Sequence, residues 1–266
     1  MDTAALKKVK ALFLDMDGVL WTDKKEIGNL HQIFQSIRET GLTVLFGSNN
    51  ATRTPEEYCE KLASFGVTVK PEQFFTSGIA TVFQLHKDFP GRPRVYVFGS
   101  PSLKKLLSEN NFEVVDENAD LVLASLDRDI NYDKISRAMI EICEHGAKFY
   151  ATNTDSTFVT ENGWRPGGGV MVSCVETCTG VNPFVIGKPN TVMIQMACET
   201  YGLQPEEIMA VGDRYETDIA GGLNFGAKTA LVLSGYETAE TAAILSPQPD
   251  LICRDLTELV NYFHEL

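Results

Sequence analysis

Apolar and polar positions along the chain change period again and again. KALFLD (residues 10–15) is a short apolar run of strand type, and NLHQIFQSIRETG (29–41) follows with helical spacing and a glycine where a helix would stop. LTVLFGS (42–48) reads as a second strand. PEEYCEKLASFG (55–66) reads as a second helix, with Pro55 in its first turn and Gly66 at its end, and GIATVFQLHKDF (78–89) as a third. This alternation predicts an α/β fold: a mostly parallel sheet with helices on both faces.

PGRPR (90–94) is the clearest punctuation in the first half. A new alternation begins after it. RVYVFG, ADLVLAS and KFYATN read as strands, with SLKKLLSENN and YDKISRAMIEICEHG as the helices between them, and the glycine run of RPGGGV precedes another helical stretch through Thr179. FVIGKPN opens a third section, which continues with the helix TVMIQMACETYG, the strand EIMAVGD, a helix near TDIAGGLNFG and the strand KTALVLS; DLICRD and LTELVNYFHEL follow. The pattern predicts a core built from residues 1–81 and 181–266, with an α/β insertion at 82–180.

Composition narrows the partners. The chain has 266 residues, 44% of them hydrophobic, with a net charge of −13. That length and apolar content supply a sizeable core without a disulfide framework. The acidity disfavours nucleic acid and anionic membrane surfaces, but leaves room for a small phosphorylated ligand held by one local positive site. No apolar run is long enough to span a bilayer, and the first ten residues lack the apolar stretch of a signal peptide. The six cysteines are scattered without a CxxC pair; Cys174 and Cys178, four apart, read as a reduced pair on one helix face. A reducing, cytoplasmic setting is expected.

Four stretches fall at the ends of predicted core strands, the edge at which open parallel α/β sheets bind ligands: DMDG (15–18), GSNN (47–50), GKP (187–189) and GDRYETDIAGG (212–222). Asp15 and Asp17 lie two apart beyond a buried strand, where two ionised carboxylates repel. A hard divalent cation would offset that repulsion and Asp213's as well, and Mg²⁺ suits an all-oxygen set. Lys188 offers a point charge for phosphate, Ser48 a hydroxyl donor, and an aspartate can serve as nucleophile through an aspartyl-phosphate. Each stretch also has a plain reading as turn or helix-start chemistry; four together at strand ends favour a site. His31, His86, His145 and His264 lie outside every motif, so a Ser-His-Asp hydrolase has no support, and there is no Walker A sequence.

DMDGVLW, LFGSNNATRTPEEY, VIGKP and VGDRYETDIAGGLNFGAKTALVLSG resemble the four ordered motifs of the haloacid dehalogenase (HAD) superfamily, most closely its NagD-like, p-nitrophenyl-phosphatase-like branch. The resemblance runs over essentially the whole chain. It implies a Rossmann-like doubly wound parallel core, with the insertion serving as an α/β cap. It assigns Asp15 as nucleophile and metal ligand, and Asp17 as general acid/base with its backbone carbonyl on the metal. Ser48 becomes the phosphate-binding hydroxyl, where many relatives have threonine, and Asn49 a backbone donor to phosphate. Lys188 holds nucleophile and phosphate, and Asp213 is the remaining protein metal ligand. Asp218 orients metal-bound water.

Arg53 reads either as facing substrate or as a solvated arginine at a helix start. Asn153 and Asp155, in ATNTD, read either as substrate contacts or as turn residues, and Gly167–Gly169 as an anion-binding helix start. The expected activity is Mg²⁺-dependent hydrolysis of small phosphate monoesters. The alternatives are phosphotransfer or mutase chemistry at the same site, or a non-catalytic phosphoacceptor or ligand-binding module. A homodimer is a family-level expectation.

Overall fold

The computed structural model describes residues 3–160 and 163–266, so residues 1, 2, 161 and 162 of the expected domain ranges lie outside the described residues. The chain divides into two compact units. One comprises Met1–Ser48, Pro55–Phe75 and Lys188–Leu266; the other comprises Asn49–Thr54 and Thr76–Gly187. The joins therefore fall several residues from the 81/82 and 180/181 positions read from sequence. A short loop after the second strand, Asn49–Thr54, also groups with the inserted unit, where Asn49 bonds to Ser77, Asn153 and Asp155.

The first unit is built on a six-stranded sheet. Its order across the sheet is Leu251–Cys253, Lys228–Val232, Ile208–Gly212, Ala11–Leu14, Thr43–Ser48 and Phe74–Thr76. The pairs from Leu251–Cys253 through to Thr43–Ser48 are parallel. In chain order this is 6-5-4-1-2-3, the doubly wound arrangement of a Rossmann-like sheet. Ala11–Leu14 and Ile208–Gly212 are buried at every position, as expected of central strands covered on both faces. Flanking helices supply that cover. Leu30–Thr40 buries Leu30, Ile33, Phe34 and Ile37 on one stripe, starts with the Asn29 side chain accepting from Gln32 N, and ends on left-handed Gly41. Phe34, Phe46, Phe74 and Tyr58 stack in series, at centroid spacings of 6.1, 4.5 and 5.6 Å, and tie that helix to the helix Pro55–Ser64 through two strands.

The second unit carries its own five-stranded parallel sheet, ordered Phe184–Val185, Lys148–Ala151, Leu121–Ala124, Arg94–Phe98 and Glu113–Val114. Side chains alternate between two cores. Val95, Val97, Leu121 and Leu123 pack on one face, and Tyr96, Phe98, Val122 and Ala124 on the other. Helices Pro101–Glu109, Tyr132–Cys143 and Gly168–Thr179 have the bounds that the periodicity suggests, to within a few residues.

Sequence reading missed the short strands Phe74–Thr76 and Glu113–Val114 and the hairpins Trp21–Thr22/Lys25–Glu26 and Thr157–Thr160/Gly163–Pro166. These short strands hold no unbroken apolar run such as marks Ala11–Leu14 and Leu121–Ala124, so nothing singles them out in the sequence. The helix expected near TDIAGGLNFG is divided, a π-helical turn over Tyr215–Ile219 leading into an α-helix over Ala220–Phe225.

Candidate active site

Ala11–Leu14 and Ile208–Gly212 are neighbours in the sheet, and the chain leaves them toward opposite edges. Such a switch point opens a crevice beyond the carboxyl ends of the strands. Asp15 and Asp213 are the first residues past those two ends. The Asp15 N–H still donates to Val211 O at 2.8 Å, which fixes where its side chain departs.

Asp15, Asp213 and Asp218 converge, each offering an oxygen within 4.8 Å of the others. Lys188, 8% exposed, is set among them, with Nζ 2.6 Å from Asp15 Oδ1 and 2.6 Å from Asp218 Oδ1. Nζ also donates to Gly47 O at 3.1 Å, so the end of a third strand helps to aim it. One ammonium faces three carboxylates. Burial pushes the Asp15 carboxyl well above its ordinary value; Lys188 pulls it down, and the charges of Asp218 and Asp213 add to the rise. Asp213 is raised to about 6, by burial and then by Asp218, against the Tyr236 N–H and Lys188. Burial alone would lower Lys188, but Asp15 and Asp218 reverse it and hold the amine above its usual value.

Glycines make this crowding possible. A Cβ on Gly18, whose φ is +83°, would overlap the Asp213 carboxylate, as would one on Gly235; one on Gly212 would overlap Asp218. Asp213 Oδ2 accepts from Tyr236 N at 2.7 Å. Asp218 is brought in by the π-helical turn, where Arg214 N donates to its Oδ2 at 3.2 Å. The donor set is all oxygen, buried and short of positive charge, which fits a hard divalent cation such as Mg²⁺.

Asp17 is placed differently. It is exposed and outside the carboxylate cluster among the described residues, and its Oδ1 accepts from Trp21 Nε1 at 2.8 Å. Its expected part in a metal site is through the backbone carbonyl, so a side chain turned to Trp21 is compatible with that expectation. The Trp21 bond was not foreseen from sequence, although an indole four residues after a carboxylate beyond a strand is a usable signal. Asp218 enters the cluster as a full member; the signal for it is the spacing of five from Asp213.

Ser48 is buried at the end of Thr43–Ser48. Asn49, Asn153 and Asp155 come together in the second unit. Asn49 Nδ2 donates to Asp155 Oδ1 at 3.3 Å, the Asn153 side-chain amide donates to Asn49 O, and Ser77 Oγ donates to the same carbonyl at 2.7 Å. Arg53 is exposed, ahead of the helix Pro55–Ser64. In the Gly167–Gly169 run, two of the N–H groups that an anion site would use are engaged within the protein. Gly167 N donates to Ser156 O and Gly169 N to Asp155 O, and the glycines serve to let that loop lie against the helix start. Among the described residues, no helix is long and apolar enough to cross a membrane.

Comparison with known proteins identifies the family. Residues 12–113 match the haloacid dehalogenase-like hydrolase family, and residues 185–259 match a second family described as HAD-hydrolase-like. An acid sugar phosphatase from Staphylococcus aureus (strain MRSA252) is 35% identical over 256 residues, covering 96% of this chain and 98% of that protein. The 5'-nucleotidase YutF of Bacillus subtilis (strain 168) is 34% identical over 260 residues, covering 97% and 100%. A solved structure of a 4-nitrophenylphosphatase from Thermotoga maritima superposes with a TM-score of 0.90 at 30% identity, over 97% of this chain and 98% of that one. The chain belongs to the haloacid dehalogenase-like hydrolase family, as an enzyme of the NagD-like phosphatase branch that its motifs resemble.

Proposed function

We propose that the protein is a Mg²⁺-dependent phosphatase that hydrolyses small phosphate monoesters through an aspartyl-phosphate. The observation that carries this reading is the Asp15, Lys188, Asp213 and Asp218 cluster at the switch point of the sheet. Asp15 and Asp213, with the backbone carbonyl of Asp17, would hold the cation, which when bound supplies positive charge to the phosphoryl oxygens and offsets carboxylate repulsion. Asp15 attacks phosphorus, forming an Oδ–P bond as the bond to the leaving oxygen breaks, and Asp17 gives that oxygen its proton. Asp17 then takes a proton from water as the water attacks phosphorus, which releases inorganic phosphate and restores the Asp15 carboxylate. Lys188 fixes the nucleophile's orientation through its bond to Oδ1 and supplies charge for the incoming phosphoryl group. Ser48 and the Asn49 N–H receive the phosphoryl oxygens.

Relatives named for sugar phosphates and for nucleotides support a small phosphorylated metabolite as substrate. The second unit, Asn49–Thr54 and Thr76–Gly187, is read as the cap that selects among such metabolites, with Arg53 as a candidate substrate contact. A cytoplasmic homodimer that engages neither nucleic acid nor membrane completes the reading. The test is acid quench of enzyme mixed with ³²P-labelled substrate. Wild type traps label on Asp15; Asp15→Asn traps none, turns over at least about 10³-fold slower and remains folded. Retained turnover in that variant would point to direct attack by water.

A further inference from the structure

Asn153 and Asp155, read either as substrate contacts or as turn residues, both bond to Asn49. We propose that they are positioning residues for Asn49, gripping the phosphate-binding loop rather than the leaving group. Asn153 is 7% exposed, and both ends of its amide are turned into protein. The nitrogen donates to Asn49 O, and the oxygen lies against Gly168, where there is no room for a Cβ. Ser77, fully buried at the start of the helix Ser77–Asp88, donates to the same carbonyl. Asp155 accepts from the other end of the residue, the Asn49 side-chain amide.

Asn49 is therefore held at both its carbonyl and its side chain. Holding the carbonyl and the side chain together fixes where the Asn49 Cα and its amide nitrogen sit, so its N–H meets an anion from a settled position. The grip is itself braced. Gly169 N donates to Asp155 O at 2.9 Å and Gly167 N to Ser156 O at 2.8 Å, and a Cβ at Gly167 or Gly169 would overlap the Asp155 or Thr154 carbonyl. The ATNTD loop and the glycine run thus form one support whose output is the placement of Asn49. The inference rests on residues 48–50 being the phosphate grip of the proposed activity. It assigns these two residues to affinity for phosphate, the part every substrate shares, and removes them from substrate choice.

The experiment compares wild type with Asn153→Ala, Asp155→Ala and Asp155→Asn on p-nitrophenyl phosphate, a hexose phosphate and a nucleoside monophosphate, with inorganic phosphate as competing product. Losing a buried bond to the loop lowers kcat/KM by roughly 5- to 30-fold. The loss is equal for all three esters, and inhibition by inorganic phosphate weakens by a similar factor. Asp155→Asn keeps an acceptor for Asn49 and recovers most of what Asp155→Ala loses. A loss confined to one ester, with p-nitrophenyl phosphate and inorganic phosphate unaffected, overturns the proposal, as does an Asp155→Asn variant as impaired as Asp155→Ala. If Asn153→Ala fails to fold, the Asp155 pair carries the comparison. Calorimetric binding of inorganic phosphate reads the same grip without turnover, so an enzyme inactive on all three esters would sink the proposed activity and still leave this inference tested.

Discussion

Asp213 illustrates what the site demands of single residues. Its carboxyl titrates at about 6 in the folded chain, above the ordinary value of 3.8, because it is buried beside Asp218. The folded state therefore holds this proton more tightly than the unfolded one. Without metal, the resulting stabilisation is complete below pH ~4 and is lost as pH rises through about 6. A divalent cation reverses the preference by favouring the ionised form. Adding Mg²⁺ should raise the melting temperature by about 3 °C or more at pH 7.5 and by much less at pH 5, and EDTA should erase the gain. An equal gain at both pH values would show that the cation binds elsewhere. Asp17 makes a second test. If it is the general acid, Asp17→Asn should slow single-turnover release of an alkoxide by about 10²–10⁴-fold, and nitrophenolate, which needs no proton, far less. Trp21→Phe removes the indole bond to Asp17 Oδ1 and should reproduce that asymmetry at about tenfold. Equal losses for both leaving groups would show that the Asp17 side chain does not donate the proton.

At the scale of elements, legibility followed length and period. The strand Ala11–Leu14 announces itself as an unbroken apolar run, buried at every position, and the helix Leu30–Thr40 because burial imposes a repeat on its side chains. Phe74–Thr76 and the two hairpins do not: Phe74–Thr76 is defined by its pairing with Thr43–Ser48, and the hairpin strands hold no unbroken apolar run. The same division holds in the site. DMDG and GDRYETD mark strand ends, so Asp15 and Asp213 were readable, and motif order supplied Lys188. What the spacing could not show was direction. Asp17 turns to Trp21 while Asp218 turns inward, and that choice is made by the π-helical turn and by the space above Gly212. Asn153 and Asp155 were found as candidates, but their partner, Asn49, lies about a hundred positions away. Gly18 joins both levels: its left-handed turn admits the Asp213 carboxylate. Gly18→Ala should cost roughly 1–3 kcal/mol of stability and lower Mg²⁺ affinity by more than tenfold. Chemical denaturation and metal titration check the two separately, and an unchanged metal affinity would show that Asp213 has room to move.

Over the whole molecule, the charge of −13 sets the reach of the site. A mononucleotide brings little charge, whereas an oligonucleotide brings a row of phosphates toward an acidic surface. At low salt the enzyme should remove a terminal phosphate from a twenty-nucleotide DNA at least about 10²-fold less efficiently than from the mononucleotide, and added salt should narrow the gap. Comparable rates at all salt concentrations would show that a local positive path overrides the net charge. The sheet order has another consequence, in time rather than space. Ala11–Leu14 pairs with Ile208–Gly212 across nearly two hundred intervening residues, whereas most of the second unit is one continuous stretch, Thr76–Gly187. On the ribosome, that stretch can collapse as it emerges, while the first strand waits with a bare apolar edge. Asp15 is made before Asp213, so a nascent or truncated chain lacks the proposed catalytic centre until the strand Ile208–Gly212 and the turn after it have been synthesised. Interrupted synthesis should therefore yield an aggregation-prone, inactive fragment rather than an unregulated phosphatase.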